Sequence, residues 1–302
     1  MLSGVRRLLL PLVLLGATWA CVHARRAVPG LEPGRLVVDG RERTWLASER
    51  GPGAPLVISL HGRFGDCAAQ ARRSGLLAVA QREGFTVVFP DGVRRSWNDA
   101  RAIGPAAEQG VDDLGFLSAL IAHFVARGAD PRRVYLLGMS NGGFMALTAA
   151  CRLSEQVAAV ASVTGTVSRA LEADCAMARP VPTVLFLGTE DPLVPFDGGV
   201  VAQDRGEVLG GAASAGFLAA KNGCVTAPAS EPLPDLDPTD GTRVDRWRWE
   251  GCAAPVELYV VQGGGHTWPT GQGYDGPPPT GRVTRDIDAS EAAWAFFRRF
   301  SR

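Results

Sequence analysis

The chain is 302 residues long, 46% hydrophobic and 21% charged, with a formal net charge of +0. That composition is ordinary for a globular protein and argues against disorder. The balanced charge leaves no electrostatic footprint for nucleic acid, and the length allows one large α/β domain or two small ones.

The N-terminus reads as a targeting segment. Arg6 and Arg7 form a charged n-region and residues 8–20 an apolar h-region. That run is shorter than a comfortable membrane span, so residues 1–24 are expected to direct export. Cleavage fits after Ala20 or after Ala24. Cys21 stands where a bacterial lipoprotein carries its lipid, which offers a membrane tether, although Thr18-Trp19-Ala20 is a poor lipobox. An uncleaved anchor is the remaining reading. A Pro/Gly-rich linker over 25–34 follows, then the folded domain over 35–302.

Residues 36–38 and 44–47 flank Asp39-Gly40, the signal of a hairpin with an Asp-Gly turn. Residues 56–60 predict a short buried strand running into His61-Gly62. Residues 68–82 are Ala/Leu-rich and predict a helix interrupted at Gly75. Residues 85–89 predict the next buried strand, ending at Pro90-Asp91-Gly92. Asp112 or Asp113 caps a helix on which Leu114, Leu117, Ile121 and Val125 recur at helical spacing, and Gly128 ends it. An apolar run over 134–137 then leads through Gly138-Met139-Ser140-Asn141-Gly142-Gly143 into a helix-compatible run over 144–153. Residues 157–163, 184–187 and 256–261 predict three more buried strands. The last helix begins at Asp288, with Glu291 three residues later. Buried strands alternating with helices predict an α/β protein, a mostly parallel sheet with helices on both faces. Residues 198–247 read as an insertion, helix-compatible over 213–220 and loop-like over 231–242.

Export permits disulfides. Cys151 closes the helix after the Ser140 turn and Cys175 lies in the following loop, while Cys224 and Cys252 bracket a Pro/Asp-rich stretch. The expected bridges are Cys151–Cys175 and Cys224–Cys252, which leaves Cys67 either without a bridge or joined to Cys21. No cysteine spacing resembles a zinc site. The Asp235-x-Asp237-x-x-Asp240-Gly241 run lacks the spacing of a calcium loop and reads as a solvated turn. No metal or cofactor is expected.

Strand, Gly-x-Ser-x-Gly turn, helix is the setting of a nucleophile elbow. A serine there needs a base and an orienting acid. Of the four histidines, His23 lies in the targeting region and His123 inside a helix. His61 follows the first buried strand and is expected to fix its loop. His266, in Gly264-Gly265-His266-Thr267-Trp268-Pro269, directly follows a strand and is the expected base. Glu190 and Asp191 both follow the 184–187 strand and lie between serine and histidine in the chain. Asp191 is favoured because Pro192 fixes a turn that can aim its carboxylate inward, with Asp197 in reserve. The oxyanion donors are expected from the Asn141 amide and from an amide of Arg63 or Phe64 after the 56–60 strand. Phe64, Trp97 and Trp268 are candidates for a substrate-lining surface, and residues 270–281 for a passive loop.

These blocks together resemble the secreted polyhydroxybutyrate depolymerase-like and feruloyl esterases. Leu60-His61-Gly62, Gly188-Thr189-x-Asp191-x-x-Val194-Pro195-Phe196, the elbow and the His266 block carry the likeness. Ser96-Trp97-Asn98, Val111-Asp112-Asp113-Leu114-Gly115-Phe116 and the Cys224/Cys252 pair fit it too. The resemblance implies an α/β-hydrolase catalytic domain over 35–302 and hydrolysis of feruloyl-type or hydroxyalkanoate esters, including polymer-linked ones of plant cell wall or polyester. It implies Ser140, Asp191 and His266 as triad and no cofactor. Arg63-Phe64 depart from the small or Cys-containing run common after His-Gly, a bulk expected to narrow or charge the acyl pocket. Three other readings compete: a polyhydroxybutyrate depolymerase proper, a serine peptidase on the same fold, and a non-catalytic envelope binding protein. Peptide turnover would mark the peptidase, and a broken triad would mark the binding protein.

Overall fold

The structure, a computed structural model, describes residues 27–270 and 280–302. The expected targeting segment with Cys21 and His23, and most of the loop after His266, lie outside the described residues. Asp39 and Gly40 have φ of 50° and 68°, the left-handed pair that a tight hairpin needs. They join β1 (Glu32–Val38) to β2 (Arg41–Ser48). The next strands, β3 (Leu56–Leu60), β4 (Thr86–Pro90), β5 (Val134–Met139), β6 (Ala159–Val163) and β7 (Thr183–Gly188), are buried throughout, as strands covered on both faces must be. β8 (Gly198–Val200) and β9 (Glu207–Leu209) form a separate two-stranded sheet. β10 (Ala229–Pro232), β11 (Arg243–Trp249) and β12 (Val256–Gln262) return to the main sheet.

The main sheet runs β1-β2-β4-β3-β5-β6-β7-β12-β11-β10. Its centre, from β4 through β3, β5, β6 and β7 to β12, is parallel. Antiparallel strands finish both edges. The chain steps outward from β3 to β4, then crosses back to place β5 on the other side of β3. Strand order therefore reverses between β3 and β5, and the crevice beyond their carboxyl ends is where such a sheet holds its site.

Among the described residues the α-helices are α1 (Cys67–Ser74), α2 (Leu76–Glu83), α3 (Pro105–Glu108), α4 (Asp113–Ala126), α5 (Asn141–Arg152), α6 (Arg169–Asp174), α7 (Gly211–Lys221) and α8 (Ala289–Phe297). Gly75, at φ 61°, divides the run expected as one interrupted helix into α1 and α2. Strand alternation sends side chains to two cores. Ile58, Leu60 and Leu136 pack with Phe116, Met145 and Leu218 of α4, α5 and α7. Val57, Tyr135 and Leu137 pack with Ala71, Val79 and Phe297 of α1, α2 and α8. Residues 198–247 hold the β8–β9 pair, α7, β10 and most of β11, so part of this stretch extends the main sheet. The last two residues of β10, Glu231 and Pro232, read as the start of a loop; its Ala-Ser-Glu-Pro sequence has no apolar alternation to mark a strand.

Both expected disulfides are present, Cys151–Cys175 and Cys224–Cys252. Two bridges suit an oxidising compartment. Among the described residues no helix is long and apolar enough to cross a membrane. Cys151 closes α5 in the core, and its bridge ties that helix to residue 175, 24 positions on. Closing a loop of that size in the unfolded chain stabilises by about 3 kcal/mol. The Cys151→Ala/Cys175→Ala double variant is expected to melt roughly 5 °C lower. An unchanged melting temperature by calorimetry would show that the bridge adds nothing.

Candidate active site

Ser140 stands between β5 and α5 with φ 54° and ψ −120°. A non-glycine residue held there costs on the order of 1–3 kcal/mol, and such strain gathers at functional sites. The turn can be this sharp because its flanking residues lack Cβ atoms. A Cβ on Gly138 would lie 2.0 Å from the Gly142 carbonyl oxygen, and one on Gly142 would lie 2.4 Å from that of Leu60. The start of α5 thus presses against the end of β3. The Ser140 amide donates to the Val163 carbonyl at 2.8 Å, fastening the turn to β6.

Asn141 is the first residue of α5, where the helix provides no acceptor for its amide. Its side chain is fully committed elsewhere. Oδ1 accepts from the Trp97 amide at 2.8 Å, and Nδ2 donates to the Trp97 carbonyl at 3.0 Å and to Asp99 Oδ2 at 2.6 Å. On the facing loop, Gly65 N donates to the Gly62 carbonyl and Phe64 N to the Arg95 carbonyl. Of the two amides considered for the oxyanion, Phe64's is therefore spent, and Arg63's is the one left to the loop.

His266 and Asp191 meet: Nδ1 lies 2.7 Å from Asp191 Oδ2, with both side chains almost fully buried. As a carboxylate Asp191 only accepts, so the ring proton sits on Nδ1 and Nε2 is the acceptor. Asp191 Oδ1 accepts from the amides of Leu193 and Val194 at 2.8 and 2.9 Å, the turn that Pro192 begins. Glu190 points into solvent and pairs with Arg282, and Asp197 is exposed. The His266 loop is anchored by its own amide, which donates to the Thr280 carbonyl at 2.6 Å. Ser140 and His266 line one cleft of about 230 Å³.

His61 is buried, with Nδ1 2.7 Å from the Gly62 carbonyl and Nε2 accepting from the Gly92 amide at 2.9 Å. Burial pushes its pKa down, so it stays neutral and braces the loop. Two of the three residues expected on a substrate surface are not there. Trp97 is 0% exposed and donates from its indole nitrogen to the His61 carbonyl, and Trp268 is 2% exposed in the sheet's core. Both rings fill volume behind the site. Phe64 does reach the cleft and is 56% exposed.

Two groups of site residues carry no sequence signal. Thr164, at φ 55° after β6, places Oγ1 3.5 Å from His266 Nε2. Arg101 and Asp99 form a buried bidentate pair beside Asn141. Only the three-dimensional approach of their loops brings either group to the site.

Sheet order, parallel centre and strained elbow make this an α/β-hydrolase fold. A solved acetyl xylan esterase from Aspergillus awamori shares the fold, with a TM-score of 0.61 at 12% identity, over 88% of this chain and 99% of that one. Residues 43–209 match the phospholipase/carboxylesterase family. A Nocardia uniformis subsp. tsuyamanensis protein named as the esterase NocK is 31% identical over 282 residues, 86% of this chain and 80% of that protein. Feruloyl esterase B of Piromyces equi is 29% identical over 221 residues, 70% of this chain but only 39% of that protein. The chain belongs to the phospholipase/carboxylesterase family and is a serine carboxylic-ester hydrolase. The resemblance read from its motifs holds at that level.

Proposed function

We propose that Ser140 is the nucleophile, His266 its base and Asp191 the acid that orients the imidazole, with the amides of Arg63 and Asn141 as oxyanion donors. The observation that carries this reading is the buried His266–Asp191 pair facing the strained Ser140 across one cleft. Ser140 attacks the ester carbonyl as His266 Nε2 takes its proton. Asp191 holds the imidazolium. The two amides bind the developing oxyanion, each worth on the order of 2.7–4 kcal/mol. The alcohol leaves with the proton from His266, and water then attacks the acyl-enzyme with His266 again as base.

Among carboxylic esters, feruloyl-type ones are supported as substrates by the named relative alone. Hydroxyalkanoate esters are the second reading of the same chemistry, on the motif resemblance alone. Export is supported by the charged-then-apolar start of the chain and the two disulfides, and Cys21 is the candidate tether. The purified mature protein should hydrolyse members of a panel of p-nitrophenyl acetate, methyl ferulate and hydroxybutyrate oligomers, and leave peptides intact. Turnover of peptides alone would overturn the esterase assignment of this site.

A further inference from the structure

We propose that Arg101 sets the acyl specificity, closing the recess beside Ser140 so that it admits an acetyl-sized group and turns away longer chains and hydroxycinnamoyl acids, against the acyl groups that the named relative and the motifs suggest. This rests on Ser140 and His266 acting as nucleophile and base. Those roles orient the substrate. The leaving oxygen must lie within reach of His266 to take its proton, which puts the alcohol in the wider cleft with Phe64 and Gln203. The acyl group then points the other way, past Asn141. There the described residues leave a recess of about 30 Å³, walled by Arg101, Ile103, Phe144, Val194 and Val201. A single water needs roughly 10–15 Å³, so this is space for about two small groups. An acetyl methyl fits. A hexanoyl chain or an aromatic ring on an extended arm does not.

A small recess limits substrates only if its walls hold. Arg101 is built in on every side. Its Nε and Nη2 grip Asp99 Oδ1 and Oδ2 at 2.8 and 2.6 Å, and its guanidinium lies 3.7 Å from the Phe144 ring centroid. The Arg101 and Asp99 side chains are 8% and 1% exposed. Asp99 Oδ2 also accepts from Asn141 Nδ2, which fixes the arginine to the same residue that offers an oxyanion amide. A bidentate, stacked guanidinium has little freedom to swing aside. The opposite wall is also packed, since Phe144, Val194, Val201 and Val208 form their own apolar cluster. Each methylene beyond the fitted length must displace close-packed atoms.

The test is the acyl-length profile of kcat/KM for p-nitrophenyl acetate, butyrate, hexanoate and ferulate. Wild type should prefer acetate to hexanoate by at least about 100-fold, since one misfit methylene can cost 10–200-fold. Arg101→Ala alone would strand the buried Asp99 charge, so the variant is Asp99→Asn/Arg101→Ala, whose amide oxygen still accepts from Asn141. Val201→Ala opens the opposite wall without touching a charge. Both should cut the acetate-to-hexanoate ratio at least about tenfold, with kcat/KM for the hexanoate rising in absolute terms. A merely structural role for Arg101 would lower all four esters together and leave the ratio unchanged. A flat profile in wild type, or an unchanged ratio in both variants, overturns the acyl assignment while leaving the triad standing. If none of the esters is hydrolysed, the reading of Ser140 falls and this inference with it.

Discussion

Ser140→Ala is expected to fold normally and to lose about 10⁶-fold in kcat, the scale seen when a triad serine is removed from a protease of the same chemistry. The two halves of that expectation rest on separate features. The substitution leaves intact the backbone contact from position 140 to Val163 and the glycine approaches that shape the elbow, so stability should move by less than about 1 kcal/mol. What goes is the one oxygen that forms the acyl-enzyme. His266, Asp191 and the oxyanion amides all remain, and residual catalysis of about 10³–10⁴ over water is expected from them and from binding. Stopped-flow kinetics on p-nitrophenyl acetate, with a melting curve on the same sample, separates the two effects. A burst of acyl-enzyme should appear in wild type and be absent in the variant. A folded variant that keeps full activity would place the nucleophile elsewhere in the cleft.

The site is legible in the sequence where function depends on local backbone geometry. Gly138-x-Ser140-x-Gly142 is readable because the close approaches at both glycines fall within the elbow or against the strand beside it. His266 and Asp191 are readable because each follows a buried apolar strand, and a parallel sheet brings such positions to one edge. Burial is a different matter. Trp97 and Trp268 lie beside motif residues, and nothing in their neighbours tells a ring that lines a cleft from one that fills the space behind it. Arg101 is hidden for a related reason. Its partner Asp99 is only two residues away, but Asn141 and Phe144, which make the pair part of the site, belong to a helix that meets this loop only after the sheet forms. β11 reads Arg-Val-Asp-Arg-Trp-Arg-Trp, where the adjacent Asp245 and Arg246 put Val244 and the two tryptophans on opposite faces, and one neighbour is a polar strand open to solvent, so its apolar pattern is too weak to read as sheet.

The largest loss of stability is expected from Arg43→Leu, at about 3–5 kcal/mol, or roughly 10 °C in melting temperature. Arg43 Nη2 meets Asp113 Oδ1 at 2.6 Å, with the two side chains 3% and 0% exposed. The guanidinium also stacks 3.8 Å from the centroid of the Phe116 ring. Asp113 Oδ2 accepts from the Asn98 amide at 2.7 Å, and the adjacent Trp97 is what Asn141 holds. Removing the arginine therefore strands a buried carboxylate behind the site and loosens the loop that braces the elbow. Burial already pushes the Asp113 pKa above its usual value, with Arg43 working against that shift. Without Arg43 it rises further. A carboxyl whose folded pKa lies above its unfolded one takes up its proton more readily when folded. Its contribution is then fully present below the unfolded pKa and lost as pH rises through the folded one. The gap in melting temperature between wild type and Arg43→Leu should thus be wider at about pH 8 than at about pH 5. Arg43→Met/Asp113→Leu should recover part of the loss, because no charge is stranded. Recovery stays incomplete because the Asn98 amide loses its acceptor, at a cost of about 1–3 kcal/mol. A gap that does not change with pH would mean that the cost of Arg43→Leu is lost packing against Phe116 and not an unpaired charge.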